Sequence, residues 1–180
     1  MNIVCIFEDR LYAFNYRDDS DGADEFERLF DACQDPEFLE QFFEANKNDL
    51  QSGFFDPIPT VEQAILITKA EAKRLEKLLR DVVQHQHQPL HNVFRPLSEN
   101  EDRWPFPRQK VYGLCYKSWF RIYAIRIAHR YYVTGGAIKL TKAMQDRVHT
   151  SRELQKMQRC FSFFEEEGIV DVEGAKELDL

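Results

Sequence analysis

Apolar positions along this chain recur with two periods, and each period predicts an element. Met1 to Phe7 and Leu11 to Tyr16 are extended runs, separated by Glu8-Asp9-Arg10 in the manner of a hairpin or a kinked strand. The acidic segment from Asp18 to Asp24, with Gly22, predicts a loop that ends on Asp24 as a helix cap. Phe26, Leu29, Phe30 and Cys33 then fall on one helical face. Asp35-Pro36 starts a second helix, with Phe38, Leu39, Phe42 and Phe43 as its apolar stripe. Aromatics at that spacing build a core, so they carry no functional assignment.

Gln51 to Pro59, with Gly53, Pro57 and Pro59, breaks the pattern. Two capping-box spacings follow, Thr60 to Gln63 and Thr68 to Glu71, predicting a short helix and then a longer one ending near Val83. Ile65, Ala72, Leu75, Leu79 and Val82 mark its buried side, and Lys69, Lys73, Lys77 and Arg80 a solvated one. Gln84 to Gln109 holds Pro89, Pro96, Pro105 and Pro107 and predicts the longest irregular stretch, pinned to the core by Trp104.

The period then changes to two. Lys110–Tyr116, Phe120–Ala128 and Tyr131–Leu140 are rich in Val, Ile, Tyr and Phe and predict consecutive strands. In the middle strand Arg121, Tyr123, Ile125 and Ile127 share one face, and Ile122, Ala124, Arg126 and Ala128 the other. Gly135-Gly136 predicts a bulge or a close backbone approach in the third strand. Thr141 or the capping box at Thr150 to Glu153 starts a last helix, with Leu154, Met157, Phe161 and Phe164 buried and Gly168 as its stop. The fold class expected is α+β: a small antiparallel or mixed sheet, made of an N-terminal strand and a C-terminal three-strand meander, packed with helices. One domain is expected over residues 1–180. Within it lie an acidic strand and helix portion (1–62), a helix and Pro-rich connection (63–109), a basic meander with its helix (110–168) and an acidic tail (169–180).

Charge changes this picture more than composition does. The net charge of −7 over 180 residues conceals a partition. Residues 1–62 hold 4 basic and 16 acidic side chains, residues 103–159 hold 13 and 2, and residues 160–180 hold 1 and 7. A strongly basic middle between acidic ends points either to a polyanion partner or to shielding by the acidic segments. The 15 Phe and 7 Tyr supply a core. No apolar run is long enough to cross a bilayer, and the first residues lack the form of a signal peptide. Cys5, Cys33, Cys115 and Cys160 are scattered without a CxxC spacing, as expected of reduced thiols in a cytoplasmic protein.

The chain has no P-loop, GxGxxG, HExxH or GxSxG motif. His85, His87 and His91 have no adjoining carboxylate or Cys, so no metal site and no cofactor is assigned. What remains is a basic sheet interleaved with aromatics, including Lys117, Trp119, Arg126, Arg130, Tyr131 and Tyr132. Cations hold phosphates and aromatic faces stack unpaired bases, so Lys117, Arg126, Arg130, Tyr131 and Arg147 are candidate nucleic-acid contacts. Scission of RNA by its 2′-hydroxyl needs a base, a cation beside the phosphorane and an acid for the leaving oxygen. Arg121, Lys139 and Lys142 are candidates for the charge, and His129, His149 or a tyrosine such as Tyr123 for the proton. Each has a plainer reading: His129 as a turn residue, Lys142 as surface charge, Tyr123 as core. Regular alternation keeps Arg121 and Arg126 on opposite faces.

The order of strand, paired helices, three-strand meander and C-terminal helix resembles the RelE/ParE superfamily of toxin–antitoxin proteins. The segment from Arg121 to Glu153 is most similar to its HigB-like branch. Arg121-Ile-Tyr123 matches the arginine strand of that branch, and Gly136-Ala-Ile-Lys139-Leu-Thr141-Lys142 its glycine-containing strand with terminal lysines. Leu140 stands where a second lysine is usual, with Lys142 beyond the threonine. The resemblance covers about a third of the chain. It implies a metal-independent endoribonuclease that cuts mRNA at the ribosome and is restrained by a cognate antitoxin. The alternative is a non-catalytic interaction or regulatory protein that keeps the fold and binds a protein partner.

Overall fold

The computed structural model describes residues 1–16, 22–55, 59–85, 90–97, 106–114, 117–169 and 174. Among these, β1 (Asn2–Phe7) and β2 (Leu11–Asn15) form the expected hairpin. Helices α1 (Glu25–Ala32), α2 (Pro36–Ala45), α3 (Lys47–Leu50) and α4 (Val61–His85) follow. The meander is β4 (Arg108–Tyr112), β5 (Phe120–Ile127) and β6 (Arg130–Ile138), preceded by the two-residue strand β3 (Arg95–Pro96). Helix α5 (Val148–Glu166) closes the fold. The protein is α+β, with a six-stranded sheet ordered β1-β2-β6-β5-β4-β3. The sheet is mixed because β2 runs parallel to β6, while every other pair is antiparallel.

Alternation along the strands decides which helix covers which face. Leu11, Ala13, Phe120, Ile122, Ala124 and Val133 pack with Phe26 and Phe30 of α1 and with Ala72, Leu75 and Leu79 of α4. Tyr12, Phe14, Ile125 and Tyr132 pack with Cys160, Phe161 and Phe164 of α5. The sheet is thus covered on both faces, and each large side chain buried there stabilises the fold by about 1.5–3 kcal/mol. A third cluster joins Leu39 and Phe43 of α2 to Trp119, Ile138 and Leu140 at the end of the meander.

Asp24 and Asp35 cap α1 and α2 as their positions require, each accepting two backbone N–H groups. The second capping-box spacing is not used: α4 is continuous from Val61 to His85. Thr68 is buried inside it, donating to the Ala64 carbonyl and accepting the Trp119 indole N–H at 2.8 Å. Glu71 is buried against the Ser118 hydroxyl, also at 2.8 Å. Tertiary partners have taken both side chains that would have capped a new helix. The acidic loop at 17–21, Trp104, His87 and the tail beyond 169, except Gly174, lie outside the described residues. No described helix is long and apolar enough to cross a membrane.

The bulge expected at Gly135-Gly136 is present, and it matters most for the site. Tyr131 and Val133 pair with Arg126 and Ala124 and face the α4 side. The register then slips between Tyr123 and Ala124, leaving Thr134 unpaired; Gly135 faces Tyr123 and Ala137 faces Arg121. Odd-numbered residues of β6 therefore move from the α4 face to the α5 face. Gly135 has φ of 151°, and a Cβ there would overlap the Glu153 carboxylate.

Candidate functional site

A cleft of about 350 Å³ opens on the α5 face, at the end of the meander where β5 begins and β6 finishes. Arg108 and Lys110 enter it from β4, Arg121 from β5, and Lys139 and Lys142 from the segment after β6. The β4–β5 register sets Lys110 opposite Tyr123 and Tyr112 opposite Arg121, so alternation delivers all four to one face. The bulge brings Lys139 to the same side. Leu97, Met144 and Leu154 supply apolar walls, and Gln145 is the one neutral amide. No carboxylate is among the described lining residues.

Arg121 is held firmly. Its Nη1 donates to the carbonyls of Ser118 (2.7 Å) and Phe120 (2.8 Å), and its guanidinium carbon lies 4.0 Å from the Tyr112 ring centroid. Burial pushes its pKa down, while Tyr112, Tyr123 and the buried Glu71 favour its charge. Lys139 donates to the carbonyls of Thr141 (2.7 Å) and Lys142, which hold its ammonium in place. Burial, followed by repulsion from Arg121, pulls its pKa below the usual lysine value. Lys110 donates to the Leu97 carbonyl at 2.7 Å and lies 5.3 Å from the Tyr112 ring. These like charges are held in place by backbone carbonyls and an aromatic face. Tyr123 is only 1% exposed, and its hydroxyl is buried with no hydrogen-bond partner. Burial raises its pKa well above the ordinary tyrosine value. A cleft lined by clustered cations can receive an oxyanion.

Arg121, Tyr123, Lys139 and Lys142, singled out from the sequence, therefore share one cleft. His129 does not join them. It lies at the β5–β6 turn, and with Arg126 and Tyr131 it lines a smaller cavity on the α4 face. Arg126 faces away from Arg121, as strand alternation requires. Arg130 pairs with Asp9 at 2.9 Å, and Arg147 chelates Asp49 on α3. Lys117 is exposed in the turn before β5, with φ of 56°. His149 donates to or accepts from nothing in the cleft; its Nε2 is 3.0 Å from the Ile138 carbonyl, and burial lowers its pKa. Sequence reasoning missed Arg108, Lys110 and Tyr112. Their alternation was legible, but the register that aligns them with β5 was not.

The acidic N-terminal portion reaches part of the basic segment only. Asp9, Asp49 and Glu25 neutralise Arg130, Arg147 and Lys156 respectively. Among the described residues, no ion pair links that portion to Arg121, Lys139 or Lys142. No group of three metal-ligating side chains is close enough to hold an ion among the described residues. No family model, curated protein or solved structure matches the chain.

Proposed function

We propose that the cleft binds the sugar–phosphate backbone of single-stranded RNA, and that the protein is a RelE/HigB-like toxin that cuts mRNA on the ribosome. The observation that carries this reading is the convergence of Arg108, Lys110, Arg121, Lys139 and Lys142 on one cleft without a lining carboxylate among the described residues. In the scission step the ribose 2′-oxygen attacks the adjacent phosphorus, the P–O5′ bond breaks, and a 2′,3′-cyclic phosphate and a 5′-hydroxyl result. Arg121 and Lys139 stabilise the charge that grows on the non-bridging oxygens. With neither imidazole nor carboxylate among the described lining residues, proton transfer falls to Tyr123 and the lysines. Arg108, Lys110 and Lys142 hold neighbouring phosphates. The partner implied is a cognate antitoxin, a protein whose acidic segment would occupy the same cleft. Expression of wild type beside Arg121→Ala and Lys139→Ala tests the reading: growth and bulk translation should fall with wild type and recover with both variants. Unchanged growth and translation with wild type would remove the toxin reading.

One observation favours a second reading, a binding module without catalysis. Burial pushes Tyr123 toward its neutral form, so it is not poised to accept a proton. Tight RNA or acidic-protein binding with no cleavage product would select it.

A further inference from the structure

A second cavity, of about 130 Å³, lies on the opposite face of the sheet and at the opposite end of β5. Arg126 lies five positions after Arg121, roughly 16 Å along a strand, and the two side chains leave the sheet on different sides. One phosphate therefore cannot reach both. Arg10 of the β1–β2 turn, His91 of the short helical turn Leu90–Asn92, Arg126 of β5, His129 of the β5–β6 turn and Tyr131 of β6 line this cavity, with Leu90. Three segments far apart in sequence thus deliver two guanidiniums and two imidazoles to one small space.

No lining residue among those described is acidic. Arg126 donates its Nε to the Ala128 carbonyl at 2.9 Å and lies 5.7 Å from the Tyr131 ring, and Arg10 reaches the Val82 carbonyl at 3.4 Å. Neither makes an ion pair with a carboxylate among the described residues. Tyr131 is 2% exposed and stacked on Phe94, and its hydroxyl is buried without a hydrogen-bond partner. The volume corresponds to about four water molecules, at ~30 Å³ each. That admits a phosphate group.

We propose that this cavity is a second anion site, separate from the cationic cleft, that takes the terminal phosphate of a phosphomonoester or free inorganic phosphate. The two guanidiniums give charge-assisted hydrogen bonds to the phosphate oxygens, and the imidazoles complete the shell. The proposal does not depend on the cleft being a ribonuclease site.

The experiment follows the ring protons of His91 and His129 by NMR at fixed ionic strength. The full-length protein is titrated with inorganic phosphate, with adenosine 5′-monophosphate, with adenosine and with chloride. Saturable shifts at both rings are expected with the first two and not with the last two, and they should persist in Arg121→Gln. Arg126→Gln and Arg10→Gln should each weaken binding at least tenfold, with unchanged circular dichroism. A stronger response to the nucleotide would identify an esterified phosphate as the ligand, and an equal response the free ion; either supports the site. Non-saturating shifts, or shifts lost in Arg121→Gln but kept in Arg126→Gln and Arg10→Gln, would overturn it. Should Arg126→Gln fail to fold, Arg10→Gln alone decides, because its side chain lies on a turn.

Discussion

Two regions of the α5 face, within a few residues of each other, treat positive charge in opposite ways. At the meander's end, Arg121, Lys110 and Lys139 face one another and are held by carbonyl oxygens and the Tyr112 ring. Beside the Gly135 bulge, Lys156 lies between two buried carboxylates, 2.6 Å from Glu25 and 3.2 Å from Glu153. It also lies 5.6 Å from the Tyr16 ring, whose hydroxyl donates to the Thr134 carbonyl. The second cluster ties α1 to α5 across the bulge through one lysine shared by two carboxylates, so it belongs to the architecture. The first has no ion pair among the described residues: Glu71 and Asp146 favour the charges of Arg121 and Lys139 without pairing with them. Fold and site are therefore separable, and substitutions should divide accordingly.

The largest loss of stability is expected from Lys156→Met. It leaves Glu25 and Glu153 buried without their cation, and removing one partner of a buried pair costs about 3–5 kcal/mol. Urea denaturation measures it; a loss below about 1 kcal/mol would mean that the carboxylates find other partners. Gly135→Ala comes next, at about 2–4 kcal/mol. It imposes a side chain at φ of 151° and forces the Glu153 carboxylate to move.

Glu153 sharpens the comparison through pH. Burial, opposed by Lys156 and reinforced by Glu25, pushes its pKa from 4.5 to about 7. The folded chain then keeps a proton that the unfolded chain has released. Stability from this group is full below about pH 4.5 and is lost as pH rises through about 7, a difference of about 3 kcal/mol. Relative to Glu153→Gln, wild type should lose that stability between pH 4.5 and 7. Parallel pH profiles for the two proteins would count against a raised pKa.

In the cleft the signs reverse. Arg121→Gln and Lys139→Gln should alter stability by less than about 1 kcal/mol while weakening RNA binding at least tenfold, since relief of repulsion offsets the lost carbonyl contacts. Large destabilisation by either would assign the cations to the fold. The smallest effect is expected at Arg130→Gln. Its pair with Asp9 involves a carboxylate that is 68% exposed, and such pairs are worth less than about 1 kcal/mol.

The sequence made part of this legible. Alternation in β5 separates Arg121 from Arg126 with no structure in hand, and Asp24, Asp35 and Gly135-Gly136 announce two caps and a bulge. It could not show that the bulge reverses the facing of β6, which is what turns Lys139 toward Arg121. Nor could it show that β4 pairs with β5 in the register that adds Lys110 and Tyr112. Both depend on pairing between strands, and side-chain period alone does not specify register. Thr68 and Glu71 mislead for a related reason. A capping-box spacing is a local signal, and Trp119 and Ser118 claim those side chains from about fifty residues away.

Fluorescence anisotropy of a labelled single-stranded oligoribonucleotide, measured against salt concentration, tests the central claim most directly. Each phosphate contact contributes a slope of about −0.7 in log affinity against log salt. Wild type should bind with a slope of several such increments, Arg121→Gln and Lys139→Gln should each lower it by about one, and Arg130→Gln should leave it unchanged. Wild-type binding that is absent, or equally weakened by all three substitutions, would contradict a dedicated phosphate cleft.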